Sequence, residues 1–188
     1  GRLRDLNGAQ AGGDAVALCS ASHPSTTPGQ SLRSNLLTGT AAAGVSTLTE
    51  TNVRTAYTAM MKTLSPAGVP TRFFPDTLVF APDQWDIAEI LLTTQYEVGT
   101  SDNNKNPVYQ KFSPMTIRYL SGDQGGNNNN WFLISKTAAK AYLRLYWAQE
   151  PEFHMMGDFD IQTLKLMGDM MFGNTFLNWP WIFGAQVL

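Results

Sequence analysis

The sequence predicts an α+β fold, and three observations carry that prediction. Residues 48–64 repeat apolar side chains with the period of an amphipathic helix. Residues 77–81, 131–134 and 141–147 show the short apolar runs or strict alternation of strands. The first of these strands turns directly into a second helical segment, making a βα unit. The chain has 188 residues, of which 43% are hydrophobic. That is one domain, or one body with a lobe, with enough apolar material for a core.

Residues 1–44 are rich in Gly, Ala, Ser, Thr and Pro and read as an ordered loop or arm. Their one strand signal is Ala15–Cys19, fenced by Gly12-Gly13 before and by His23-Pro24 and Pro28-Gly29 after. The helix follows. Thr47, Leu48, Thr49 and Glu50 have capping-box spacing, with Thr47 as the cap and Glu50 reaching back. Val53, Ala56, Tyr57, Met60, Met61 and Leu64 then fall on one stripe, and Ser65-Pro66-Ala67-Gly68 ends the helix.

Thr77–Ala81 is a short buried strand. Pro82 stands where a helix tolerates proline best, and Asp83 and Asp86 sit near the positive end of the dipole. Trp85, Ala88, Leu91, Leu92 and Gln95 mark the inward side of that helix, to about Tyr96. A polar loop, 97–107, leads to an extended stretch at 108–120. Met115, Ile117 and Tyr119 alternate there, and Pro114 demotes part of the run to an edge or bend. Residues 121–130 (SGDQGGNNNN) read as a flexible hairpin tip. Trp131–Ile134 is a fully apolar strand, 136–140 a turn or single helical turn, and 141–147 an alternating strand. Glu150 to Phe153 reads as a break. Residues 159–172 fit both periods in part, and Gly157, Gly168 and Gly173 favour a kinked strand over a helix. The tail, with Phe176, Trp179, Trp181, Ile182 and Phe183, is too aromatic to be solvated and must dock.

Charge narrows the function classes. Only 15% of residues are charged, against a usual value of about 25%. Such a thinly charged chain, rich in aromatics and Met, suits a subunit that hides its surface against copies of itself. Net charge is −2 and no basic cluster stands out beyond Arg2 and Arg4, so no nucleic-acid footprint is drawn. No apolar run is long enough to cross a membrane as a helix. The first ten residues lack the apolar core of a signal peptide. The single cysteine excludes an internal disulfide framework and a multi-thiolate zinc site.

The search for chemistry assigns no catalytic, cofactor-binding or metal-ligating residue, and no cofactor. Cys19 and His23 are a thiol and an imidazole four apart, roughly 13 Å in an extended chain, too far for a nucleophile–base pair. Cys19 reads as a small buried hydrophobe and His23 as a turn residue. His154 is isolated, so the two histidines share no metal-ligand spacing. Asp102-Asn103-Asn104 lacks the glycine and distal glutamate of a calcium loop. Glu150, Glu152, Asp158 and Asp160 read as a solvated edge rather than a glycosidase pair.

One resemblance adds to these readings. Asp14-Ala15-Val16-Ala17-Leu18-Cys19-Ser20-Ala21-Ser22-His23-Pro24, followed by Ser34-Asn35-Leu36, resembles the "DG-x-ALF-S-x-x-HP … SN" signature of Mu-like phage major head subunits. A P-x-x-L-V-F-A-P unit (Pro75 to Pro82), an N-P-V-Y-x-x-F run (Asn106 to Phe112), a W-F-L-I strand and an E-P-E-F step (Glu150 to Phe153) follow in similar order. The departures are Ala15 for the family's usual Gly, Cys19 for its usual Phe, and a loosely matching C-terminal third.

The resemblance implies a major capsid protein of the Hong Kong 97-type fold, with residues 45–140 as the axial domain. Residues 1–44 and 141–188 would be peripheral-domain segments. It implies a homo-oligomer of pentamers and hexamers, closing an icosahedral shell around the phage genome. The shell would be assembled in the host cytoplasm and found in the virion. Portal, scaffold or cement proteins are further partners it admits, and packaged DNA would be touched only weakly and non-specifically. The spine helix, extended loop and amino-terminal arm of that family lie upstream of the "HP … SN" region. The expectation is therefore that this chain is the later part of a longer subunit. The competing reading is an aromatic-platform binding module, an adhesin or carbohydrate-binding domain, stacking ligand on Trp131, Trp147, Trp179 or Trp181.

Overall fold

The structure, a computed structural model, describes residues 14–28, 30–37, 47–97, 104–158 and 162–185. Its centre is a four-stranded mixed sheet in the order β2-β1-β3-β6. The strands are β1 (Thr77–Phe80), β2 (Ser113–Thr116), β3 (Trp131–Ile134) and β6 (Ile182–Ala185). β1 runs parallel to β2 and antiparallel to β3, and β3 runs antiparallel to β6. The parallel pair is joined by a crossover through α2 (Trp85–Thr93), as parallel pairing requires.

β1, β3 and β6 are buried on both faces, which is why they read as unbroken apolar runs. Leu78, Phe80, Trp131, Leu133 and Phe183 point to one side. There they pack with Val53, Ala56 and Met60 of α1 (Glu50–Met61) and with Ala88 and Leu92 of α2. Val79, Phe132, Ile134 and Ile182 point to the other side. They meet Leu18, Cys19, Ala138 of α3 (Lys136–Tyr142), Trp179 and Trp181. The aromatic tail docks as expected, and it does so by adding a strand to the sheet.

Several elements differ from expectation, each for a local reason. Ala15–Cys19 is not a strand. Ala15 has φ 60°, and Asp14 Oδ1 accepts a hydrogen bond from the Val16 amide, so the segment starts in a turn. The cap of α1 is Thr49, whose hydroxyl accepts from the Asn52 amide; the Thr47 carbonyl accepts from Asn52 Nδ2. Glu50 lies inside the helix, paired with Arg54 one turn on. Leu64 falls beyond the helix end, bridged to Pro70. In α2, Ala88 and Leu92 face the core, but Trp85 and Gln95 do not: Trp85 is 64% exposed. The helix stops at Thr93 because Asn106 Nδ2 takes the Leu91 and Thr94 carbonyls, and the Gln110 amide takes that of Leu92.

Between 108 and 120 only Ser113–Thr116 is strand, at the sheet edge that Pro114 demands. Residues 118–120 form a 3-10 turn that buries Leu120 and exposes Tyr119, and Met115 is exposed on the edge strand. Residues 121–130 are not a hairpin tip, since β2 and β3 lie on opposite sides of β1. They form a built loop: Asn128 Oδ1 accepts from the Gly122 amide, and Asn127 Oδ1 accepts from that of Asn129. At Gly126 a Cβ would stand 2.3 Å from the Leu120 carbonyl oxygen, so only glycine fits. Residues 1–13, 98–103 and 159–161 lie outside the described residues, as do the Gly12-Gly13 fence, Asp102, Asn103 and Asp160.

Candidate assembly surface

The rest of the chain is a second, two-stranded sheet. β4 (Leu143–Asp158) pairs antiparallel with β5 (Thr163–Phe176), and nearly every described residue of the ribbon is exposed. The predicted break at Glu150–Phe153 is not a break. β4 runs through it, with register shifts between Trp147 and Gln149 and between Gln149 and Glu152. Each shift inserts one extra residue in β4, and Pro151, which cannot donate to a ladder, falls inside the second. The kinked strand expected at 159–172 is present as the regular strand β5.

The register decides which side chains share a face, because opposed residues point the same way and neighbours along a strand alternate. One bulge would flip the alternation of β4, and the second restores it. Leu143, Leu145, Trp147, Phe153 and Met155 therefore lie on one face. They stand with Leu164, Leu166, Met170 and Phe172 of β5. Trp147 and Phe172 touch across the strands, ring centroids 5.5 Å apart, and Phe153 lies over Gly168. The opposite face is mixed: it carries Arg144, Glu152, His154, Lys165 and Asp169 beside Tyr146, Met156, Met167 and Met171. Both faces are exposed, and the one that carries Phe153 and Leu166 is the more apolar: among the described residues nothing covers it, and Phe153 is 82% and Leu166 69% exposed. The base of the ribbon is tied down by the Leu177 amide on the Tyr142 carbonyl and by Phe176 and Tyr142 against the core.

The residues weighed for chemistry come to rest elsewhere. Cys19 is buried, and burial pushes its thiol well above the usual range, away from the reactive thiolate. His23 is a core residue rather than a surface turn. Its ring stacks on Trp179 at 4.3 Å, Nδ1 contacts Asp14 Oδ2 at 2.7 Å, and Nε2 contacts Asn35 Oδ1 at 3.1 Å. With both nitrogens so engaged, the ring is not a base for Cys19. His154 lies far along the ribbon, 3.6 Å from Glu152. Among the described residues no three His, Cys, Asp or Glu gather as a metal site. An open groove along α1 is lined by Thr51, Arg54, Thr55, Thr58, Ala59 and Lys62, without a carboxylate, imidazole or thiol.

The aromatic platform does not form. Trp131, Trp179 and Trp181 are core residues, and Trp147 of the four alone reaches the surface, on the ribbon. Among the described residues no helix is long and apolar enough to cross a membrane.

Asp14, His23 and Asn35, widely spaced in the sequence, thus meet in one buried network. Asn35 binds the Leu18 and Ile182 carbonyls through Nδ2 and accepts from the Ser20 amide, tying the amino-terminal segment to β6.

A search of the curated proteins returns no match. A family model described as phage capsid protein matches residues 6–183, across the sheet, the His23–Asn35 network and the ribbon alike. The chain therefore belongs to a phage capsid protein family, which gives it a structural role in a virus shell and a place in the virion.

Proposed function

We propose that the chain is a major head subunit of the Mu-like group with the Hong Kong 97-type fold, assembling as pentamers and hexamers into an icosahedral shell. The family match supports the capsid role, and the order of motifs from Asp14 to Phe153 supports the subtype. In this reading residues 45–140 form the axial domain, and residues 1–44 with 141–188 belong to the peripheral domain. Either the loop at 97–107 or that at 121–130 lies at the ring axis. Portal, scaffold or cement proteins and weakly held DNA complete the partners, and assembly takes place in the host cytoplasm.

The observation that carries the assembly reading is the bare apolar face of the ribbon. Closed shells need extensive contacts between identical subunits, repeated around rings. A chain with few charges and one large apolar face is built for such contacts and poorly suited to solitude. Purified full-length protein is expected to give rings or shells in negative-stain electron micrographs and a large hydrodynamic radius. A stable monomer at high concentration overturns the reading.

A further inference from the structure

We propose that the apolar face of the β4–β5 ribbon, centred on Phe153, Met155 and Leu166, is covered in the assembled particle by a second copy of this chain. The inference rests on the shell reading and names one of the surfaces that meet.

Size is the first argument. The 14 residues of β5 extend about 45 Å, and two strands are about 10 Å wide, so the face covers roughly 450 Å². That is the size of the largest apolar patch a lone soluble protein ordinarily shows, and such patches are often functional. Stability is the second. A two-stranded ribbon is marginal in water, and this one has a second layer only at its base. A covering layer about 10 Å away completes the half-built sandwich.

Charge selects the occupant. Arg144, Glu152, Lys165 and Asp169 all lie on the opposite face. Whatever covers the apolar face meets no charge there except Glu150, which stands with Pro151 opposite Met170 in the second bulge; a lone carboxylate and no cation disfavour nucleic acid and any strongly charged protein. The occupant must itself be apolar and thinly charged. A second copy qualifies, because each copy carries the same uncovered face. Two such faces would bury about 900 Å² together, close to the ~1,000 Å² at which specific interfaces begin. The contact is therefore weak alone and effective only when repeated with others, as in a shell.

The test uses the chain's cysteine content. Cys19 is its one cysteine and is buried, so Met155→Cys adds a single reactive thiol. In the full chain below its assembly concentration, polyethylene-glycol maleimide should label Met155→Cys readily. In intact particles labelling should slow at least tenfold. His154→Cys, on the opposite face, should label in both states. Leu166→Cys provides a second probe should Met155→Cys fail to assemble. Equal labelling of the apolar-face thiols in particles overturns the proposal while leaving the shell reading intact. Protection already present in the dissociated subunit also overturns it, and assigns the cover to a segment of the same chain. An absence of particles from the unsubstituted chain removes the shell reading, and this proposal with it.

Discussion

Asn35 shows how much one side chain can hold. Its amide orientation is set by its partners: Nδ2 donates to the Leu18 and Ile182 carbonyls, and Oδ1 accepts from the Ser20 amide. Oδ1 therefore also accepts from His23, making Nε2 of that ring a donor, while Nδ1 faces the Asp14 carboxylate. Replacing Asn35 by Ala leaves several buried groups without partners, each costing about 1–3 kcal/mol. Asn35→Ala should lower unfolding free energy by at least ~3 kcal/mol in denaturant titration; a loss under ~1 kcal/mol would show that water replaces the amide. Asn35→Asp should be no better, since it deletes the Nδ2 donor and sets a carboxylate beside two carbonyls. Cys19 makes a second residue-scale prediction. Its buried thiol should resist maleimide in the native chain and react on unfolding. Here the sequence was half legible. Cys19 as a buried hydrophobe could be read from its apolar neighbours. The network could not, because Asp14, His23 and Asn35 meet only after the chain folds back on β6.

At the scale of elements, local signals succeeded where a whole stripe or run agreed and failed where one residue decided. Val53, Ala56 and Met60 fixed α1, yet two threonines competed for its cap. Thr49→Ala should cost about 1 kcal/mol by removing the hydroxyl that accepts from the Asn52 amide. Thermal unfolding of the variant checks this; an unchanged midpoint would show that the Thr49 hydroxyl does not cap the helix. The ribbon taught the opposite lesson. Proline and two glutamates at 150–152 resemble a break, but bulges admit an unpaired residue and a missing donor without ending a ladder. Two bulges in close succession add two residues to β4 and so restore its facing: Gln149, between them, pairs with Met171 on the other face, and Phe153 and Met155 return to the face of Leu143 and Trp147. Alternation before the bulges, at 141–147, was visible; the bulges became countable only against the partner strand. Likewise, 121–130 resembled a loose tip because nothing local reports that β2 pairs with β1 in parallel.

Across the whole molecule, burial is divided very unevenly. β1, β3 and β6 lie between two layers, with Trp131, Phe132, Leu133 and Ile182 all but inaccessible. β4 and β5 have a ladder and almost no second layer. Opening free energies within one protein run from near zero to the global value, and they follow buried apolar contact. Amides of β3 and β6 should therefore exchange only through global unfolding, while those of β4 and β5 open locally. In the dissociated chain the ribbon should exchange at least about 100-fold faster than β3, a gap of roughly 2.7 kcal/mol. That ordering follows from the fold and not from any partner, so it holds whether or not particles form. Assembly should then act selectively. If identical copies cover the apolar face, ribbon amides gain protection on forming particles and β3 amides hardly change. Hydrogen exchange followed by mass spectrometry reads both steps in one experiment. Slow exchange of the ribbon in the dissociated chain would mean that it already has its second layer, and that the apolar face between Leu143 and Phe172 completes the subunit's own core.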